Sequence, residues 1–165
     1  MVLTLPREIT GGLAREHRAL LEEIERCEQA AHQGDLRRIL QAVRFLSHNA
    51  RQHQRKEEEV LFPALERDPA LAAGATRSLR AEHEEERRLI ELVQDAVDAA
   101  VGGQSVGGPL RAGVQRLTAL MRDHIRREDT LLFPLVERTL SPREATRVRA
   151  AMDAIGYFAA CEAQA

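Results

Sequence analysis

Residues 53–63 read His53-Gln54-Arg55-Lys56-Glu57-Glu58-Glu59-Val60-Leu61-Phe62-Pro63, and residues 124–134 read His124-Ile125-Arg126-Arg127-Glu128-Asp129-Thr130-Leu131-Leu132-Phe133-Pro134. His, Glu, Leu, Phe and Pro recur at the same offsets. A His and a Glu four residues apart project from one face of an α-helix, about one turn separated, so both reach a single centre. The repeat predicts two helices that each offer one imidazole and one carboxylate to a shared site.

Working outward, alternating four- and three-residue steps mark the buried seam of a left-handed helical bundle. The first helix gives Leu13, His17, Leu20, Ile24, Cys27, Ala31, and the second gives Ile39, Val43, Leu46, Ala50, His53, Glu57, Val60, Ala64. The third gives Leu79, His83, Glu86, Ile90, Val93, Val97, Ala100, and the fourth Leu110, Val114, Leu117, Met121, His124, Glu128, Leu131, Leu135. Turn signals bound these segments. The first helix is expected from about Thr10 to His32, ending at Gly34, and the second from Asp35, a good N-cap, to about Arg67. The third is expected from Ala75 to Val101. The fourth follows Pro109, and a fifth starts at Ser141-Pro142-Arg143-Glu144, a capping box with proline at the first helical position. Pro63 and Pro134 are expected either to kink their helices or to mark the approach to an end.

The chain is thus expected to be all-α: one domain over residues 1–165, an up-down four-helix bundle over about 10–140 and an additional C-terminal helix over about 141–158. Composition agrees: 165 residues can bury a core unaided, and 44% hydrophobic residues with only 3% aromatics favour Leu, Val, Ile and Ala packing in helices. The 24 basic and 26 acidic residues alternate along the chain, leaving no basic block for a phosphate backbone, so nucleic acid is not an expected partner. No apolar run is long enough to span a bilayer, and the N-terminus lacks a charged region followed by a long apolar stretch. A cytoplasmic location without a membrane partner is the expectation. Cys27 and Cys161 fit no metal-binding spacing and leave two thiols or one bridge equally open.

Seven seam positions are neither apolar nor small: His17, His53, Glu57, His83, Glu86, His124 and Glu128. Random intrusions into a chain with 30% charged residues would include Arg, Asp, Gln and Ser. Only metal-ligand types occur. An ionised carboxylate in a bundle core costs several kcal/mol unless compensated, so a cation is expected among them. Four imidazoles and two carboxylates suit iron or manganese, with zinc chemically open.

At these residues the chain resembles the hemerythrin-like (HHE cation-binding) family, four-helix bundles with a non-haem di-iron centre. The resemblance covers roughly residues 10 to 140 and rests on His17, His53-x3-Glu57, His83, His124-x3-Glu128 and the Leu-Phe-Pro after each pair. It implies that Glu57 and Glu128 bridge two irons, that His17, His53, His83 and His124 are terminal ligands, and that an oxo or hydroxo group is shared. Manganese or zinc ranks behind iron. One departure is that oxygen-carrying hemerythrins have a second His on the third helix, four residues from the first, and His-x4-Asp on the fourth. Leu79 and Arg87 stand at those third-helix positions here. Eight bonds from the six residues and two from a shared oxygen leave two of twelve octahedral positions open, unless Glu86 takes one. Open positions favour reaction with peroxide, O2 or NO over reversible carriage.

Glu86 and Glu58 are therefore additional metal candidates, Glu58 as a ligand or as a group behind one. Gln54 and Arg55 are expected to point away from the site. His32 and His48 are read as surface or helix-end residues, and Met121 and Leu117 as an apolar wall. Whether Tyr157 folds over the site is open. The leading function is a protein that binds or senses O2, NO, peroxide or iron, with no protein partner identifiable. The alternatives are a di-iron enzyme acting on peroxide or NO, and a metal-free helical interaction module.

Overall fold

The computed structural model describes residues 5–68, 71, 74–104, 107–156 and 158. Helix α1 spans Leu5–Gln33. Helix α2 runs from Leu36–Arg55 through a π-helical turn, Lys56–Leu61, into a last α-turn, Phe62–Leu65. Helix α3 spans Ala75–Val101. Helix α4 runs from Gly107–Arg127 through a second π-helical turn, Glu128–Leu132, into Phe133–Thr139, and α5 spans Pro142–Ile155. Each of the first four helices packs on its neighbours in the chain, and α4 closes back on α1. This is the expected bundle. The fifth helix lies against α1 and the π-turn of α2.

Local chemistry sets the boundaries. Pro6 sits in the first turn of α1, where its missing N–H costs nothing, so the helix begins at Leu5 rather than Thr10 and carries Ile9 into the core. Gly34 takes the left-handed conformation (φ 71°) after α1, and the Asp35 N–H reaches back to the Ala30 carbonyl at 2.9 Å. The Asp35 side chain then accepts from the Arg38 N–H at 3.1 Å to start α2. The capping box between Ser141 and Glu144 forms at α5. Each such cap contributes about 1 kcal/mol.

Two apolar cores lie along the bundle. One contains Leu20, Ile24, Val43, Leu46, Ile90, Val93, Leu117 and Met121. The other contains Ile9, Leu13, Leu61, Phe62, Leu79, Leu132 and Phe133, closed off by Ala145, Val148 and Met152 of α5. Between them runs a layer of buried His and Glu.

The seam changes phase on crossing that layer. Uniform spacing predicts that Val60, Ala64, Leu131 and Leu135 are buried, but the buried residues are Leu61, Leu65, Leu132 and Val136. Leu131 is 66% exposed and Leu132 only 2%. The cause is the π-turn in each helix. The Phe62 N–H bonds the Glu57 carbonyl and the Phe133 N–H bonds the Glu128 carbonyl, five residues back rather than four, so one extra residue is accommodated and every later side chain rotates. A proline follows each of these bonds. Pro63 and Pro134 have no N–H to give, and the widened turn relieves the clash their rings would make with the carbonyl four residues earlier. Both helices end soon after, at Leu65 and Thr139.

Candidate metal centre

Six buried side chains converge between the two cores, one or two from each of α1 to α4. His17 Nε2 lies 3.1 Å from His53 Nε2, and His83 Nε2 lies 3.1 Å from His124 Nε2. Glu128 stands between the pairs, with Oε2 3.0 Å from His17 Nε2 and Oε1 3.1 Å from His124 Nε2. Glu57 divides in the same way, with Oε1 3.5 Å from His53 Nε2 and Oε2 3.3 Å from His83 Nε2. Ligand atoms of Glu57, His83, His124 and Glu128 form one mutually close set, and those of His17, His53 and Glu128 another. The structure thus brings all six predicted residues together. Glu58 and Glu86 belong to neither set.

Behind each of these four histidines stands a carboxylate. His17 Nδ1 meets Asp129 at 2.8 Å, His53 Nδ1 meets Glu16 at 2.9 Å, His83 Nδ1 meets Glu58 at 2.7 Å and His124 Nδ1 meets Glu82 at 2.8 Å. An ionised carboxylate only accepts, so each Nδ1 carries a hydrogen and Nε2 is left as the inward-facing atom, able to meet a cation or a proton. This arrangement fixes ring orientation and raises ligand basicity. Three of these carboxylates are themselves held by cations: Glu16 by Lys56, Glu58 by Arg87 at 3.0 Å and Glu82 by Arg127 at 2.5 Å. Phe133 stacks on His17 and Phe62 on His83. Glu58 therefore orients a ring rather than joining the converging atoms.

The donor set fits a cation and little else. Both Glu57 oxygens and Glu128 Oε1 are buried without a hydrogen bond among the described residues. Ring nitrogens face each other in pairs, and neutral imidazoles so arranged would oppose lone pair to lone pair. Without metal, protons take that role. Burial alone would lower the histidines, but Glu128, Glu57 and Glu58 around His83 push it up to about 11. Burial likewise opposes, and Glu128 and Glu82 outweigh it, at His124, raised to about 10. His17 and His53 shift the same way, and the imidazoles hold Glu128 well below the usual carboxylate range against its burial.

A cavity of about 10 Å³, roughly the room one water needs, lies beside the site and is lined by His17, Leu20, Ala50, His53, Gln54, Glu86, Met121, His124 and Ile125. Gln54 was expected to point away from the site and does not. It is buried, donating to Glu86 Oε2 at 2.9 Å and accepting from Arg87 at 2.8 Å. The reason is that α2 is flanked by both α1 and α3, so its buried arc is wider than the seam. Arg55 does face outward, pairing with Glu59 at the surface. His32 and His48 are exposed, and Met121 and Leu117 are buried as an apolar wall. Cys27 is a free thiol whose burial pushes it up to about 12, which keeps it protonated and inert. Tyr157 and Cys161 lie outside the described residues. Sequence reading missed Glu16, Glu82 and Asp129. Their signal was adjacency, since each sits one residue from one of the six converging side chains, but among so many acidic residues adjacency alone distinguishes nothing.

No helix among the described residues is long and apolar enough to cross a membrane. No curated protein matches the chain. The model of the hemerythrin HHE cation-binding domain matches residues 9–136, a span that takes in all six converging side chains. By that match and this geometry, the chain belongs to the hemerythrin HHE cation-binding domain family.

Proposed function

We propose that the protein holds a non-haem di-iron centre and uses it to bind or sense a small ligand, namely O2, NO, peroxide or iron itself. His17 and His53 would hold one iron, His83 and His124 the other, and Glu57 and Glu128 would bridge them. The observation that carries this reading is the division of each carboxylate, one oxygen toward each histidine pair. Bound iron would supply open coordination positions for redox-active small molecules. The chain's own part is to supply oriented lone pairs through the Nδ1–carboxylate bonds and to bury the centre between two apolar cores.

The test is elemental analysis of anaerobically purified protein followed by its optical spectrum in air. Two irons per chain with an oxygen-dependent spectral change are expected. A metal-free protein whose melting is unaffected by chelators would instead be a helical interaction module, and the proposal would fall. Manganese or zinc in place of iron would keep the site and change its chemistry. A second reading, turnover of peroxide or NO, is favoured by the cavity against three of the histidines. Sustained loss of peroxide, abolished in His124→Ala, would establish the enzyme over the sensor.

A further inference from the structure

The surroundings of the metal layer repeat between the two helical hairpins, but the cavity beside it does not. Glu16-His17 corresponds to Glu82-His83, and His53 with Glu57-Glu58 corresponds to His124 with Glu128-Asp129, each making equivalent contacts. By the same offsets, Glu86 of α3 corresponds to Leu20 of α1, and Gln54 of α2 to Ile125 of α4. All four line the cavity. One wall is therefore polar and the matching wall apolar.

The polar wall is rigidly built. Arg87 bonds both Glu58, which orients His83, and Gln54, and Gln54 in turn fixes Glu86 Oε2. The other oxygen, Glu86 Oε1, is buried without a hydrogen bond among the described residues. A buried polar atom left without a partner destabilises the fold. Leucine, which serves at the corresponding position of α1, would avoid that cost. An oxygen held in place but unsatisfied, at the wall of a cavity bordered by His17, His53 and His124, has the placement of a ligand-contacting group.

We propose that Glu86 Oε1, positioned by Gln54 and Arg87, hydrogen-bonds the small molecule that occupies this cavity, and so selects hydrogen-bonding ligands such as hydrogen peroxide over NO. This rests on the di-iron reading for the neighbouring site. Hydrogen peroxide both donates and accepts through each oxygen, so one of its oxygens can take this one-water space against Glu86 Oε1 while the other is directed at the histidines that border it. NO offers no hydrogen and only weak acceptors. Leu20 and Ile125 on the opposite side offer the ligand no polar contact, so Glu86 and Gln54 face it from one side only.

The experiment uses iron-loaded wild type, Glu86→Leu and Glu86→Gln. Stopped-flow optical changes on mixing with hydrogen peroxide and, separately, with NO are expected to slow about tenfold for peroxide in Glu86→Leu, the worth of one hydrogen bond, and less than twofold for NO. Glu86→Gln, which keeps a hydrogen-bonding group in place, is expected within about threefold of wild type for both. Equal slowing for both ligands, or slowing for neither, would overturn the proposal. So would loss of iron from Glu86→Leu, which would make Glu86 a metal ligand. A high-resolution crystal structure of wild type, with or without iron, gives a reading independent of turnover and of whether the leucine variant folds. A solvent molecule hydrogen-bonded to Glu86 Oε1 is expected, and an Oε1 turned onto protein atoms would refute the idea. If wild type carries no iron, the di-iron reading fails while the crystallographic result still decides on Glu86.

Discussion

The α1–α2 hairpin and the α3–α4 hairpin carry the same ligand apparatus: a His preceded by Glu on one helix, and on the other His-x3-Glu, a π-turn and a stacking Phe. They differ in what surrounds it. Arg87 clamps Glu58 behind His83, whereas the residue at the corresponding place in α1 is Leu21, and among the described residues no Arg or Lys joins His17 within ion-pair distance of Asp129. Asp129 is also the more exposed, 43% against 24% for Glu58. The converging His and Glu are duplicated, and the groups that surround each half are not. Metal geometry demands matched donors on both sides, while charge balance and ligand contact can be met from one side alone.

The largest effect expected is on the two carboxylates that stand between the histidine pairs. Glu128 lies within 3.7 Å of all four ring nitrogens, Glu57 of only two. Glu128→Ala is expected to lose both metals, while Glu57→Ala keeps a weakly bound ion, as metal-to-protein ratios after gel filtration would show. Equal losses would mean that the carboxylates serve the two halves alike.

Outer carboxylates should show the asymmetry more gently. Removing a partner behind a ligating His typically costs 10–100-fold in metal affinity. Glu58→Gln is expected near the upper end and Asp129→Asn near the lower, measured by competition with a chelator. Glu58 is held at about 2 by His83 and Arg87 against its burial, so its charge is assured wherever the protein folds. A reversed order would show that the clamp by Arg87 is immaterial.

Both halves should depend on protons when metal is removed. His83 titrates at about 11 and His124 at about 10 in the folded chain, against an ordinary value of 6.5. Raised values mean that the protonated rings stabilise the fold fully below about pH 6.5, and that this stabilisation drains away as pH climbs through 10 and 11. The melting temperature of metal-free protein is expected to fall from pH 7 to pH 10. Metal-loaded protein should fall less, because the cation replaces the protons, and its formation should release protons. A flat profile for metal-free protein would contradict the geometry.

A pair of alanine substitutions at neighbouring leucines, the first of them nearly silent, tests the phase change. Leu131→Ala is expected to shift stability by less than about 0.5 kcal/mol, while Leu132→Ala costs about 2–5 kcal/mol by denaturant unfolding. The converse would restore the uniform seam.

The helical seams up to Glu57 and Glu128, the caps at Asp35 and Ser141, and all six converging side chains were legible in the sequence, because helix periodicity and N-capping are local and a repeated His-x3-Glu on one face admits few readings. Beyond the two π-turns the reading slipped by one residue. A π-turn depends on which carbonyl a backbone N–H finds, and counting cannot see that. Gln54 and the four outer carboxylates were decided only when α1 to α4 closed into a ring, since which flank of a helix is buried depends on its neighbours. The chain thus specified by itself which residues would converge, through buried His and Glu whose charges need compensation by a cation or by protons. Packing alone settled how those residues are oriented, neutralised and made unequal between the two halves, because these are relations between helices far apart in sequence.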